Sequence, residues 1–233
     1  MSIGNPHTPG LPEQAYVRSD ARLIYVLLVA GLLSSVASIA LYSAGPYSWV
    51  LPGFLFGLFV SGGLALTKAV TSTRRAAKLT AITTITYPLS ILVSGGIQLL
   101  FWRNSSMGDR PDLSSITLFA GGLVGAFVVI AVIQWLVPSQ TRKRSIPVRS
   151  LWWSLSGGIL GVVGWNLGSS LGMSLWTIAH DLHLTARDEG WLNALHGDTS
   201  HQFSLWFVWQ TGMGLILGLA LQTPVDSKGV KQP

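Results

Sequence analysis

Six long intervals of this chain contain no lysine, arginine, aspartate or glutamate, and they restrict most of what it can fold into. They are residues 23–43, 46–67, 79–102, 113–137, 150–179 and 202–225. An α-helix needs roughly 20 apolar residues to cross a bilayer core, and each interval is long enough. Inside hydrocarbon a backbone must satisfy its own N–H and C=O groups, which leaves helices or closed barrels, and runs of this length select helices. Only 10% of the 233 residues are charged, against about 25% in an ordinary soluble domain. The sequence therefore predicts an all-α integral membrane protein, a bundle of six transmembrane helices over about 23–43, 46–67, 79–102, 113–137, 150–176 and 203–223. The interval that starts at Ser150 exceeds one span, so its helix is expected to tilt or to end near Met173.

The polar remainder organises the rest. Residues 1–20, with Pro6, Pro9 and Pro12, read as a flexible tail, and residues 226–233 as a second one. Arg18 and Arg22 before Leu23–Leu33 loosely imitate a secretion signal, but the apolar run continues to Leu41 and the first helix is expected to stay. Ala44-Gly45-Pro46 leaves room only for a tight turn, which makes the first two helices an antiparallel hairpin.

Charge sets the expected orientation. With the N-terminus inside, Arg18, Arg22, Lys68, Arg74, Arg75, Lys78, Arg142, Lys143, Arg144, Arg149, Lys228 and Lys231 are cytoplasmic, and only Arg103, Arg110 and Arg187 lie opposite. Twelve of the fifteen basic residues on one side, alternating loop by loop, obey the positive-inside rule with both termini in the cytoplasm. The net charge of +6 is thus a topology signal, with attraction of Arg142-Lys143-Arg144 to anionic lipid as a secondary reading. It is not read as nucleic-acid binding, because the basic loops lack interleaved base-stacking aromatics. The expected location is a cytoplasmic or equivalent energy-transducing membrane. Tryptophans support the same boundaries: Trp49, Trp102, Trp176, Trp206 and Trp209 fall near the outer helix ends, Trp135, Trp152 and Trp153 near the inner ones.

The three outward-opening hairpins share glycine patterns, Gly53–Gly57, Gly121–Gly125 and Gly214–Gly218, which suggest a threefold hairpin repeat. One stretch is more specific. Gly125, Gln134-Trp135-Leu136-Val137, a basic turn, Leu151-Trp152-Trp153 and Gly164-Trp165-Asn166-Leu167-Gly168 follow in order. Over residues 125–168 this resembles a hairpin repeat of multi-pass bacterial membrane proteins: a Gly-rich helix ending in Gln-Trp-Leu, a basic turn, then a Trp-led helix with Gly-Trp-x-x-Gly. The resemblance implies membrane architecture and carries no established activity.

Three sets of residues are candidates for function. Gly157, Gly161, Gly164, Gly168 and Gly172 recur every three or four residues and form one stripe, the pattern of a tight helix–helix seam or of a groove for a lipid tail. Thr80, Thr84, Tyr87, Ser90, Ser94 and Gln98 form a polar stripe on the third helix, and Pro88 frees the carbonyl of Thr84. Thr84, Tyr87, Pro88, Ser94 and Gln98 would line a pore or ligand path; the plainer reading is a kinked helix whose hydroxyls bond its own backbone. Gln134, Asn166 and Gln210 are expected to bond between helices. Third, His180, His183, His196 and His201 lie with Asp181 and Asp198 in the expected extracytoplasmic loop 180–201. Imidazole and carboxylate suit a divalent metal, and the alternative is a solvated loop at the headgroups.

Absences narrow the function. No span carries a charged side chain of the kind that couples proton or ion transport. There are no cysteines, no Gly-x-Ser-x-Gly and no paired intramembrane carboxylates, so the reading favours a non-enzyme. First in order stands a non-catalytic subunit or scaffold whose partners are membrane lipids and other membrane-protein subunits or itself. Second is a channel, permease component or lipid-handling protein with lipid as ligand. Third is a metal-binding membrane protein or enzyme centred on the histidines.

Overall fold

The computed structural model describes residues 21–41, 50–103, 114–137, 146–181 and 198–222. Among them are six helices: α1 (Ala21–Ala40), α2 (Leu51–Leu66), α3 (Thr73–Arg103), α4 (Ser114–Leu136), α5 (Ile146–Asp181) and α6 (Asp198–Gln222). The described residues contain no strand. In α1, α3, α4 and α6 there are segments long and apolar enough to cross a membrane, and α2 is a shorter apolar helix of 16 residues. The protein is a multi-pass, all-α membrane protein.

Local chemistry sets the ends. Pro52 sits in the first turn of α2, where its missing N–H costs nothing. At the other end Thr67 donates its hydroxyl to Gly63 O at 3.0 Å, and Lys68, at φ +59°, turns the chain so that Val70 N reaches Leu64 O. Ser72 then accepts from the amides of Arg75 and Ala76 and starts α3. Helix α3 thus begins at Thr73, six residues before the apolar interval, because helical bonding does not stop where charge begins. Helix α6 likewise starts at Asp198, inside the stretch expected to be loop.

Each helix packs on its sequence neighbours, and α6 packs on α1, so the six close a ring. Contacts run antiparallel along every seam. On α1–α6, for example, Ile24 meets Gly218, Leu27 meets Gly214, and Gly31 meets Gln210. Six antiparallel helices put Ala21 and Gln222 on one side, called the inner side below, together with the α2–α3 connection, the end of α4 and the start of α5. Across the ring, α6 also touches α2 and α4.

Small residues make the seams close. A methyl group on Gly53 would lie 2.6 Å from Thr83 O, one on Gly122 2.5 Å from Gly157 O, and one on Gly218 2.7 Å from Ile24 Cα. In lipid, such backbone approach replaces water exclusion as the source of association. Helices α2, α4 and α6 each turn small residues to the first helix of the following hairpin: Gly53 and Gly57 to α3, Gly122 and Ala126 to α5, Gly214 and Gly218 to α1. On α4 this pair is shifted by one from the Gly121–Gly125 of the sequence pattern; those two face Ser90 of α3.

The inner half of the ring is filled. Phe56, Val60, Leu64, Leu79, Val129, Ile130, Ile133, Met213 and Leu217 form one buried apolar cluster. The opposite, outer half holds a smaller buried cluster, Ile39, Phe203 and Trp206, and beside it an unfilled space.

Candidate functional site: a cavity in the outer half of the ring

Polar side chains tie the outer half together and leave a space between them. Gln210 is 1% exposed. Its Oε1 accepts from Ser34 at 2.6 Å, while its Nε2 donates to Ser38 at 3.2 Å and to Pro52 O at 3.4 Å. One amide therefore joins α6 to α1 and α2. Ser94 donates to Thr117 O at 2.8 Å, linking α3 to α4. Ser204 donates to Gly164 O at 2.6 Å, linking α5 to α6. The indole N–H of Trp206 donates to the Tyr87 hydroxyl, a strut from α6 to α3, helices that are not neighbours in the ring.

Between these ties lies a cavity of about 310 Å³. Its wall includes Tyr87, Ser90 and Ser94 of α3, Trp165 of α5, and Gln202, Trp206, Trp209 and Gln210 of α6. Glycines of α2, α4 and α5 complete it, among them Gly53, Gly121, Gly122 and Gly161. No lining residue is charged. The hydroxyls mostly spend their protons on their own helix: Thr83 on Leu79 O, Thr86 on Ile82 O and Ser90 on Thr86 O, at 2.7–3.0 Å. What they retain for a ligand is acceptor capacity. Trp209 lines the cavity as well, and its indole N–H is buried without a hydrogen-bond acceptor among the described residues.

The residues singled out in the sequence distribute unevenly around this space. Tyr87 and Ser94 line it. Thr84, Pro88 and Gln98 do not; Thr84 returns its hydroxyl to Thr80 O at 2.7 Å, and Pro88 sits within an unbroken α3. Thr83 and Thr86, each one position before a residue of the expected stripe, take their place. A stripe counted in steps of three and four does not say which of two adjacent lines of residues faces inward.

The glycine stripe of α5 divides between two neighbours. Gly157 and Gly161 face α4, where a methyl group on Gly161 would lie 2.8 Å from Leu118 O. Gly164 and Gly168 face α6. Beyond Gly164 the helix itself breaks: Gly168 has φ +31° and ψ −120°, which interrupts α5. The imidazole of His201 fills that break, stacked 4.9 Å from Trp165 and with Nδ1 at 3.0 Å from Trp165 O. A carbonyl can only accept, so Nδ1 carries the proton in this contact. The surroundings of Gly172 lie outside the described residues.

His201 is therefore a helix residue packed against α5, not a loop residue. His180 lies in the last turn of α5, but its side chain lies outside the described residues, as do His183 and His196 altogether. Among the described residues no three His, Asp or Glu side chains come together as a metal site would need.

Two further expectations change. Trp206 and Trp209 turn into the bundle instead of joining an interfacial belt, whereas Trp135 and Trp152 are 58% and 70% exposed. Gln134 does bond between helices, accepting from Ser150 at 2.8 Å, but Asn166 is exposed and bonds its own helix at Val162 O. The Tyr87–Trp206 strut was beyond sequence reading, since the two are 119 positions apart. Fold and cavity together define a helical-ring membrane protein with an uncharged internal chamber. No family model, curated protein or solved structure matches the chain.

Proposed function

We propose that the chain binds a neutral, largely apolar molecule carrying a hydroxyl or amide group, and acts as a lipid-handling protein or permease component of the cytoplasmic membrane. The observation that carries this reading is the uncharged cavity of about 310 Å³, walled by Tyr87, Trp165, Trp206 and Trp209. Its size is at the lower end of ordinary small-molecule sites, whose walls are mostly apolar and aromatic with a few placed polar groups. An ionic ligand would find no counter-charge in this wall and would bear its desolvation cost uncompensated. A ligand donor suits the acceptor capacity of Ser90, and a ligand oxygen would satisfy the N–H of Trp209. The apolar filling of the inner half favours a binding chamber over an open pore.

The test is mass spectrometry of small molecules and lipids that co-purify with the protein in mild detergent. Ile91 lines the cavity, and Ile91→Trp would fill it. Wild type is expected to retain a neutral amphipathic species that Ile91→Trp loses without a loss of thermal stability. An identical ligand content in both proteins would overturn the proposal.

A second reading, the membrane-complex subunit, has its own support. Gly95 and Gly96 of α3, and Gly62 of α2, have open space where a side chain would be. Bare glycines on a lipid-facing helix permit another apolar helix to approach closely. Native mass spectrometry of Gly96→Leu should then show a lost protein partner, and an unchanged assembly would remove this reading.

A further inference from the structure

A second cavity lies at the inner ends of α3 and α4, remote from the chamber. Its volume is about 400 Å³, and it is lined by Ser72, Arg74, Arg75, Lys78, Trp135 and Leu136. Positions 74 and 75 lie four and three residues before 78, so each is a neighbour of Lys78 on one face of α3. That face is fixed from behind. Ser61 of α2 donates to Ala76 O at 3.1 Å, and Leu79 is buried at 1% exposure. The three basic side chains are consequently exposed together, and Nζ of Lys78 stands 5.6 Å from the Trp135 ring centre.

Like charges on one helical face repel, and no carboxylate pairs with them among the described residues. An anion placed between them removes that repulsion. Guanidinium groups match phosphate oxygens two at a time, and an ammonium adds a point charge. The indole marks the depth at which headgroups lie. What stands next to the groove says where the phosphate comes from. From Lys78 the same face of α3 continues through Ile85, Leu89 and Leu92, which are 67%, 42% and 70% exposed. A phosphate in the groove would have its hydrocarbon chains lying along those residues.

We infer that the groove at Arg74, Arg75, Lys78 and Trp135 is a binding site for the headgroup of an anionic phospholipid, with the acyl chains laid along α3. The site is separate from the chamber, and it is distinct from diffuse attraction to the basic run at 142–144. Each basic residue near a membrane surface contributes on the order of 1 kcal/mol toward anionic lipid, so losing two corresponds to roughly thirtyfold in affinity.

The experiment titrates the full-length protein in neutral detergent with short-chain phosphatidylglycerol, phosphatidylcholine or inorganic phosphate, reading bound lipid by native mass spectrometry. Wild type should bind phosphatidylglycerol saturably and in preference to phosphatidylcholine. Arg75→Gln with Lys78→Gln should weaken it roughly thirtyfold, while Arg75→Lys with Lys78→Arg, which keeps both charges, should stay far closer to wild type. Arg142→Gln, Lys143→Gln and Arg144→Gln together should leave it nearly unchanged. Equal loss in that triple variant would show diffuse attraction and overturn the site. Equal binding of both lipids would overturn headgroup recognition, and displacement by millimolar inorganic phosphate would overturn a lipid as the occupant. All three groove side chains are exposed, so the variants should unfold as wild type does without lipid.

Discussion

Replacing Gln210 with leucine tests how the ring closes between its first and last helices. The amide is buried and makes three bonds, to Ser34, Ser38 and Pro52 O, at 2.6, 3.2 and 3.4 Å. Leucine has nearly the same volume and would join an apolar wall that already includes Phe56, so the change removes hydrogen bonding with little cavity. A hydrogen bond between transmembrane helices contributes about 0.6 kcal/mol on average and up to about 1.7. The bond to Ser34 is short and enclosed, and it should stand near the upper value; the two longer ones should stand near or below the mean. Ser38 also donates to Ser34 O at 2.8 Å, so it keeps a partner when Gln210 is lost. The expected cost is therefore about 1.5–2.5 kcal/mol, a fall of roughly ten- to sixtyfold in the folding equilibrium constant. Reversible unfolding in mixed micelles, followed by tryptophan fluorescence, would measure it. A double-mutant cycle with Ser34→Ala isolates the main bond, and its coupling should be about 1–1.7 kcal/mol. A coupling below about 0.3 kcal/mol would refute the argument that this amide joins α1 to α6.

Three other perturbations probe separate parts of the ring. Gly168→Ala puts a methyl group into the His201 ring at a left-handed φ, and it should cost about 1–3 kcal/mol; a melting temperature within about 2 °C of wild type would contradict this. Gly122→Leu, whose first carbon would lie 2.5 Å from Gly157 O, should destabilise by about 1–3 kcal/mol or more, whereas Gly62→Leu, in open space, should change stability by less than about 0.5. Equal effects of the two in chemical denaturation would count against a glycine seam. Tyr87→Phe removes an acceptor from Trp206 and should cost about 1–2 kcal/mol, while Tyr25→Phe, at 67% exposure, should be silent in the same unfolding assay.

Legibility in the sequence varied with the range of the interaction. Uncharged runs located α1 and α4 to within three residues at each end, because bilayer thickness and backbone hydrogen bonding act on each segment separately. Helix α3 ran further, since Thr73 to Lys78 bond helically while remaining polar. The α5 glycines were visible as a stripe, yet their division between α4 and α6 depends on where those two helices pack, and the break at Gly168 was hidden because a glycine in a helical pattern gives no notice of its φ. The polar stripe of α3 pointed to the right helix and missed Thr83 and Thr86, because its orientation is set by where Gly53 and Gly57 let α3 approach α2.

The sequence alone determined that this chain is a six-helix membrane protein with small-residue contacts and no charge in its spans. Each of those properties belongs to one helix at a time, and the cost of burying charge or bare backbone in hydrocarbon enforces it locally. The tertiary structure alone decided that α6 returns to α1, that Trp206 reaches Tyr87, and that the outer half keeps an internal chamber which the inner half lacks. Those outcomes depend on the close approach of distant segments, where a few tenths of an ångström at a glycine decide which side chains share a space.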